Sequence, residues 1–174
     1  SISSFVEEDT PVIWRGPMKT TAIYQFLGDV AWGELDFLVI DSPPGTGDEP
    51  LTVLQTLPDI MALIVTTPQA VAVQDVKRAI NLVETMHRNP LGIVENMSYM
   101  RCPHCGEITK LFGEGGGKNL ETLFSIPLLG SLPFDPTLVG FSDNGKSIVT
   151  HMRGSELEVA YRSTVKEIVK RVNI

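Results

Sequence analysis

Four short apolar runs stand out along the chain: Phe37–Ile40, Met61–Val65, Leu91–Val94 and Leu128–Leu132. Each is continuously hydrophobic rather than alternating, the pattern of a strand buried on both faces of a parallel sheet. Between the runs the apolar positions recur at helical spacing. From Lys19 to Ala31, Ala22, Phe26, Leu27 and Val30 form one stripe, and from Ala70 to His87 the stripe is Val73, Val76, Ile80 and Val83. A last helix is predicted from Ser155, where Glu158 completes a capping box, with Leu157, Tyr161, Val165, Ile168 and Val172 on its apolar face. Strands alternating with helices predict an α/β fold, a mostly parallel sheet flanked by helices. The alternation breaks only between Tyr99 and Lys118, which reads as a small insertion within a single domain spanning residues 1–174.

Composition narrows the function classes. With 43% hydrophobic and 20% charged residues, the chain of 174 residues has an ordinary globular make-up and is long enough to bury a core. A net charge of −7 argues against a large basic nucleic-acid surface. No apolar run approaches the roughly 20 residues that cross a bilayer, so no membrane partner is expected. The start, Ser1-Ile2-Ser3-Ser4, has no signal-peptide pattern, and because it is not Met it reads as a trimmed or partial end. Cys102 and Cys105 are the two cysteines, in one CxxC. The count alone does not fix the compartment, but a lone CxxC suits a metal or redox site in a reducing cytosol.

The run Phe37–Ile40 leads directly into Asp41-Ser42-Pro43-Pro44-Gly45-Thr46-Gly47-Asp48. A carboxylate at the carboxyl end of a parallel strand sits where α/β proteins bind ligands. In P-loop NTPases that position belongs to the Walker B Asp, which holds Mg²⁺. Pro43 and Pro44 stiffen the turn, while Gly45 and Gly47 let backbone N–H groups approach a phosphate. The plain alternative is an acidic turn closing a strand, with Asp48 capping the next helix.

Two glycine-rich strings invite over-reading. Gly140-Phe141-Ser142-Asp143-Asn144-Gly145-Lys146-Ser147 matches the Walker A pattern letter for letter. A working P-loop, however, follows a buried strand directly and opens a long helix. Here Pro133 and Pro136 intervene, Asp135-Pro136 reads as the start of a short helix, and Gly154 leaves no room for a long one after Ser147. A helix stop and surface turn is the expected role. The run Gly113–Lys118 reads as a flexible return from the CxxC segment.

In Cys102-Pro103-His104-Cys105-Gly106 the spacing lets two thiolates grip one metal, with Gly106 permitting the tight turn. Two ligands are half of a tetrahedral site. His104 and His151 are one completion; a redox dithiol is another reading, weakened because the following Glu107–Phe112 looks extended rather than helical. The third is a second copy of the chain donating its own pair across a two-fold axis, which the cysteine count favours. Four such thiolates suit zinc or an iron–sulfur cluster.

With these residues in hand, the chain resembles the Mrp-type iron–sulfur cluster carriers, P-loop ATPases related to MinD and ParA. The likeness runs through Val12–Met18, Trp32–Asp36, Asp41–Asp48, Thr66–Gln69, Glu95–Ser98, Cys102–Gly106 and Phe112–Gly117 in the right order. It implies a cytoplasmic homodimeric ATPase that carries a labile cluster, or zinc in its place, at Cys102 and Cys105 and passes the cluster to apoproteins. By position, Asp41 would be the Mg²⁺-linked catalytic carboxylate, and Pro44 and Gly45 would face the γ-phosphate of ATP. Asn96, expected at a strand end, would read the adenine edge, with Pro133 and Asp135 flanking the base. The family's Walker A lysine loop has no counterpart in the sequence and is expected ahead of Ser1. A MinD- or ParA-like positioning ATPase, and a non-enzymatic dimer stapled by zinc, are the competing readings. A MinD-like tail would bind membranes with a basic amphipathic helix. Packing on the sheet explains the apolar face beside Lys166, Lys170 and Arg171 more simply.

Overall fold

A computed structural model describes residues 16–172, which divide between Pro58 and Asp59 into two compact units. The string Val12–Met18 lies partly outside the described residues.

The first unit holds two packed helices, α1 (Gly16–Gly28) and α2 (Asp48–Thr56). Helix α1 starts earlier than its apolar stripe suggested, with Pro17 in the first turn, where a missing N–H costs no hydrogen bond. It ends at Gly28, so Val30 falls beyond it and is exposed. Ala22 is the buried contact. Lys19 Nζ donates to Glu49 Oε1 at 2.7 Å, and Thr52 Oγ1 donates to the Asp48 carbonyl at 2.6 Å. The predicted strand Phe37–Ile40 does not form: the segment takes part in no ladder, and Val39 is 87% exposed. A strand needs a neighbour to receive its N–H and C=O groups, and all four strands of the described sheet belong to the other unit.

The second unit is built on β1 (Met61–Thr66), β2 (Asn89–Arg101), β3 (Ile108–Thr109) and β4 (Leu128–Pro133). β2 is central and parallel to both β1 and β4, while β3 pairs with its far end in an antiparallel hairpin. Helix α3 (Ala70–Thr85) crosses over from β1 to β2, and α4 (Gly116–Phe124) from β3 to β4. Ile64, Val73, Ile80, Ile93, Leu120 and Ile126 form the core between sheet and helices. The α3 stripe is therefore the one read from the sequence.

Beyond β4 come α5 (Thr137–Asp143), α6 (Ile148–His151) and α7 (Glu156–Val172). Helix α7 packs on β4, with Leu157 and Thr164 buried. Gly130 makes the approach possible: an added Cβ there would lie 2.0 Å from Thr164 Oγ1. Val165, expected on the apolar face, is 51% exposed; Thr164 takes the sheet-facing position beside the half-buried Tyr161 and Ile168. The capping box is altered too. Ser155 Oγ accepts the Glu158 N–H at 3.1 Å, but Glu158 Oε2 accepts from Gly154 rather than Ser155, whose N–H is already given to the Met152 carbonyl. Among the described residues no helix is long and apolar enough to cross a membrane.

Candidate functional site

Asp41, Pro44 and Gly45 lie in the first unit on an exposed loop. Gly45 has φ +95°, a conformation that side-chain-bearing residues rarely adopt, so the turn depends on glycine there. Asp48 does not cap the following helix through its side chain; Gly47 is the N-cap and Asp48 begins the first turn, where its charge suits the helix dipole.

Asn96, Pro133 and Asp135 belong to the second unit, Asn96 within β2 and Pro133 and Asp135 at and just beyond the end of β4. Pairing of β1 with β2 stops at Thr66↔Glu95, and pairing with β4 loses register between Glu95 and Tyr99. Asn96 sits in that gap rather than at the end of β2, which runs on to Arg101. Its Oδ1 accepts the N–H of Met97 at 3.0 Å, and Met97 has φ +55°. That bond fixes the amide's orientation. Pro133 is buried at the end of β4, and the Phe134 N–H donates to the Tyr99 carbonyl at 2.6 Å. Asp135 Oδ1 accepts from the Thr137 N–H at 2.9 Å and its hydroxyl at 2.7 Å, which ties it to the start of α5, although the helix begins one residue later than expected and Pro136, not Asp135, is its N-cap.

Beside Asn96 lies a residue that sequence reasoning missed. Glu95 is buried, its Oε1 accepting from Ser98 Oγ at 2.8 Å and its Oε2 from the Gly117 N–H at 2.6 Å. A buried carboxylate is tolerated only when its oxygens are satisfied, and here one of the donors is an amide of the first turn of α4. The glycine run is thus not a loose return. Gly116 and Gly117 are buried; a Cβ on Gly116 would meet the Pro68 Cα and Val73 Cγ2 at 2.9 Å, and one on Gly117 the Glu95 Cβ at 3.1 Å. We expect Glu95→Ala to lower unfolding free energy by about 2–4 kcal/mol in urea titration, through an orphaned amide and a cavity. Glu95→Gln, which keeps an acceptor for Gly117, should lose about 1 kcal/mol or less. Equal losses in both would mean that the carboxylate does not hold α4.

The CxxC turn closes the β2–β3 hairpin. The Gly106 N–H donates to the Cys102 carbonyl at 2.9 Å, and the Cys102 N–H to the Glu107 carbonyl at 2.8 Å. Gly106, at φ +76°, makes the tight turn that its position predicted. Cys102 is half-buried and Cys105 exposed. The backbone N–H groups of Cys105 and His104, then the Cys105 thiol, lower the pKa of the Cys102 thiol and favour the thiolate. His151 Nδ1 lies 3.2 Å from the Ser147 carbonyl of its own helix start. Among the described residues no three His, Cys, Asp or Glu side chains cluster as a metal site, so His104 and His151 do not complete one with the thiols.

Arg101, next to Cys102, was also missed. Its Nε donates to Glu156 Oε2 at 2.8 Å, its Nη2 to Glu156 Oε1 at 3.1 Å and its Nη1 to the Gly106 carbonyl at 2.9 Å. Tyr99 Oη donates to the same Glu156 Oε1 at 2.9 Å. The guanidinium holds the Glu156 carboxyl below the usual range, and burial, then the Glu156 bond, pushes the Tyr99 phenol up.

The Walker-like string is not a phosphate loop. Gly140 lies inside α5, which stops at Asn144 and Gly145 (φ +64°) with the Lys146 N–H on the Phe141 carbonyl at 2.8 Å. Ser147 then caps the four-residue α6, accepting the Val149 N–H at 3.2 Å.

A mostly parallel sheet flanked by helices, with a two-thiol turn hung from its central strand, is an α/β architecture of the class that binds ligands at the carboxyl edge of its strands. Residues 1–169 match the family profile described as ParA, NUBPL iron-transfer P-loop NTPase. The chain is 51% identical over 151 residues to the iron-sulfur cluster carrier protein of Pyrococcus horikoshii, covering 87% of this chain and 51% of that one. It is 47% identical over 168 residues to the cytosolic Fe-S cluster assembly factor CFD1 of Saccharomyces cerevisiae, covering 92% and 57%. Among solved structures, a nucleotide-binding protein from Archaeoglobus fulgidus in complex with ADP superposes with TM-score 0.65 at 48% identity, covering 73% of this chain and 52% of that one. MinD of Pyrococcus furiosus shares the fold, with TM-score 0.63 at 22% identity over 90% and 59% of the two chains. This chain belongs to the iron-transfer P-loop NTPase family. It spans about half the length of the curated relatives it matches.

Proposed function

We propose that the protein is an ATP-dependent carrier that binds a labile iron–sulfur cluster between two copies of the chain and hands it to apoproteins in the cytoplasm. The observation that carries this reading is the CxxC turn: two thiols on a solvent-facing hairpin tip, one with backbone N–H groups that favour its thiolate. Such a pair fits half of a four-thiolate site, and a second copy across a two-fold axis supplies the rest. Relatives named as cluster carriers and assembly factors support the cargo.

ATP, when bound, supplies the phosphoanhydride whose hydrolysis drives the cycle. In this reading Asp41 would hold Mg²⁺, and the Pro44–Gly45 turn would meet the γ-phosphate with its backbone. Asn96, its amide oriented by Met97, would face the adenine edge beside Pro133. Asp135, its carboxylate held by the amide and hydroxyl of Thr137, would fix the turn that borders the base.

Anaerobic incubation with ferrous iron and sulfide should give a brown protein, and mixing it with an apo-ferredoxin should move the cluster and its absorption to the acceptor. A protein that takes up zinc but forms no cluster would reduce the knuckle to a structural staple. One that forms a cluster but never releases it to an acceptor would not be a carrier.

A further inference from the structure

The hairpin that carries the cysteines is slight. Its ladder consists of Met100↔Thr109 and Arg101↔Ile108, continued only by the two backbone bonds of the turn, Cys102 to Glu107 and Gly106 to Cys102, and both residues of β3 are exposed. Two residue pairs do not hold a hairpin rigid in water, yet a site that grips cargo with two thiolates needs them at a fixed separation and orientation. Arg101 meets that need from the position next to Cys102. Nε and Nη2 fork onto the two oxygens of Glu156, while Nη1 reaches the carbonyl of Gly106 on the other side of the turn. Glu156 is the first residue of α7, where the orphan amides of the first turn favour a carboxylate, and it is steadied by the Tyr99 hydroxyl. Helix α7 is in turn seated on the sheet through Leu157 and through Thr164 against Gly130. One guanidinium thus links the cysteine turn to a rigid element. Lysine would not suffice, because a single ammonium lacks the planar fork that serves a carboxylate and a carbonyl together.

We propose that Arg101 and Glu156 are a positioning pair that fixes the Cys102–Cys105 turn on α7 and so sets how tightly the knuckle retains its metal cargo. The retention half rests on the cluster reading above; the positioning half does not. The side chains of the pair are 48% and 37% exposed, so its effect is graded rather than absolute.

The test compares Arg101→Lys, Glu156→Gln and the double variant with the parent protein in two measurements. In the metal-free protein, NMR hydrogen exchange at the Cys102 and Gly106 amides should quicken about five-fold in each single variant and no further in the double, with the urea midpoint unchanged. In the reconstituted protein, cluster loss to EDTA should quicken by a similar factor, and the visible circular dichroism of the cluster should change. Exchange and release rates equal to those of the parent would overturn the proposal. So would additive losses with a fallen midpoint, which mark two unrelated structural contacts. If the parent takes up no cluster, the carrier reading fails and amide exchange alone decides the pair.

Discussion

Cys102→Ser is expected to leave the protein colourless after anaerobic reconstitution, with iron and sulfide at background. A cluster iron binds thiolate, and serine's hydroxyl does not ionise near neutral pH, so the substitution removes one of the two ligands that each chain would contribute in the proposed site. The donors that lower the Cys102 pKa would then face a neutral oxygen. The fold should survive, because Cys102 is only half-buried and the turn is held by backbone bonds through Cys102, Gly106 and Glu107. Its stability change should stay within about 0.5 kcal/mol, the range of ordinary surface substitutions. Full cluster content in this variant would remove the knuckle from cargo binding. A colourless variant that had also unfolded, seen by circular dichroism, would carry no such message, and Cys105→Ser, at an exposed position, provides the second reading of the same question.

The next largest effect is expected at Asp41. If the protein turns over ATP as proposed, Asp41→Asn should depress that turnover on the order of 100-fold, the scale of losing one charge-stabilising group at a phosphoryl-transfer site. Asparagine keeps the size and the turn but not the charge that would hold Mg²⁺. Asp41 is exposed, so its replacement should leave the unfolding midpoint where it was. Coupled-enzyme measurement of phosphate release settles it. Unchanged turnover would take Asp41 out of the mechanism and return the loop to an acidic turn.

What was legible in the sequence follows the range of the interactions involved. The stripe of α3 is visible because each of Val73, Val76, Ile80 and Val83 reports the same local period and meets the same core. β1 and β4 are visible because their apolar runs are unbroken, but the expected burial on both faces fails for β1, where Ile64 and Thr66 are buried while Met61, Leu63 and Val65 on the other face are exposed. β2 is legible only in its middle, since beyond Val94 it carries Glu95, Asn96 and Ser98, which a local pattern reads as the end of a strand. Phe37–Ile40 has the composition of a strand, but a strand is a pairing, and the described residues of its unit supply no partner. The CxxC and the Asp41 loop could be singled out because the residues of each proposed site are consecutive in the chain. Glu95 and Arg101 were not, because what they do is decided far along the chain, at Gly117 and at Glu156. No short-range pattern distinguishes a satisfied buried glutamate from a solvated one, or an arginine that forks across a turn from an ordinary surface charge.

The glycine run shows the same limit in reverse. Read locally, Gly113–Gly117 is a flexible connector; in the fold, Gly116 and Gly117 are small because Pro68, Val73 and Glu95 stand against them. The loop that returns from the cysteine turn is therefore keyed to the sheet edge beside Asn96. Cysteine turn and proposed base-binding edge are thus carried on one continuous strand, β2.

The most direct test of the central claim, a cluster shared by two copies of the chain, is native mass spectrometry of the anaerobically reconstituted protein. The account predicts a dimer whose mass exceeds that of two chains by a single iron–sulfur cluster, and which falls to monomers when the cluster is removed. A monomer carrying its own cluster, or a dimer bearing two, would contradict it.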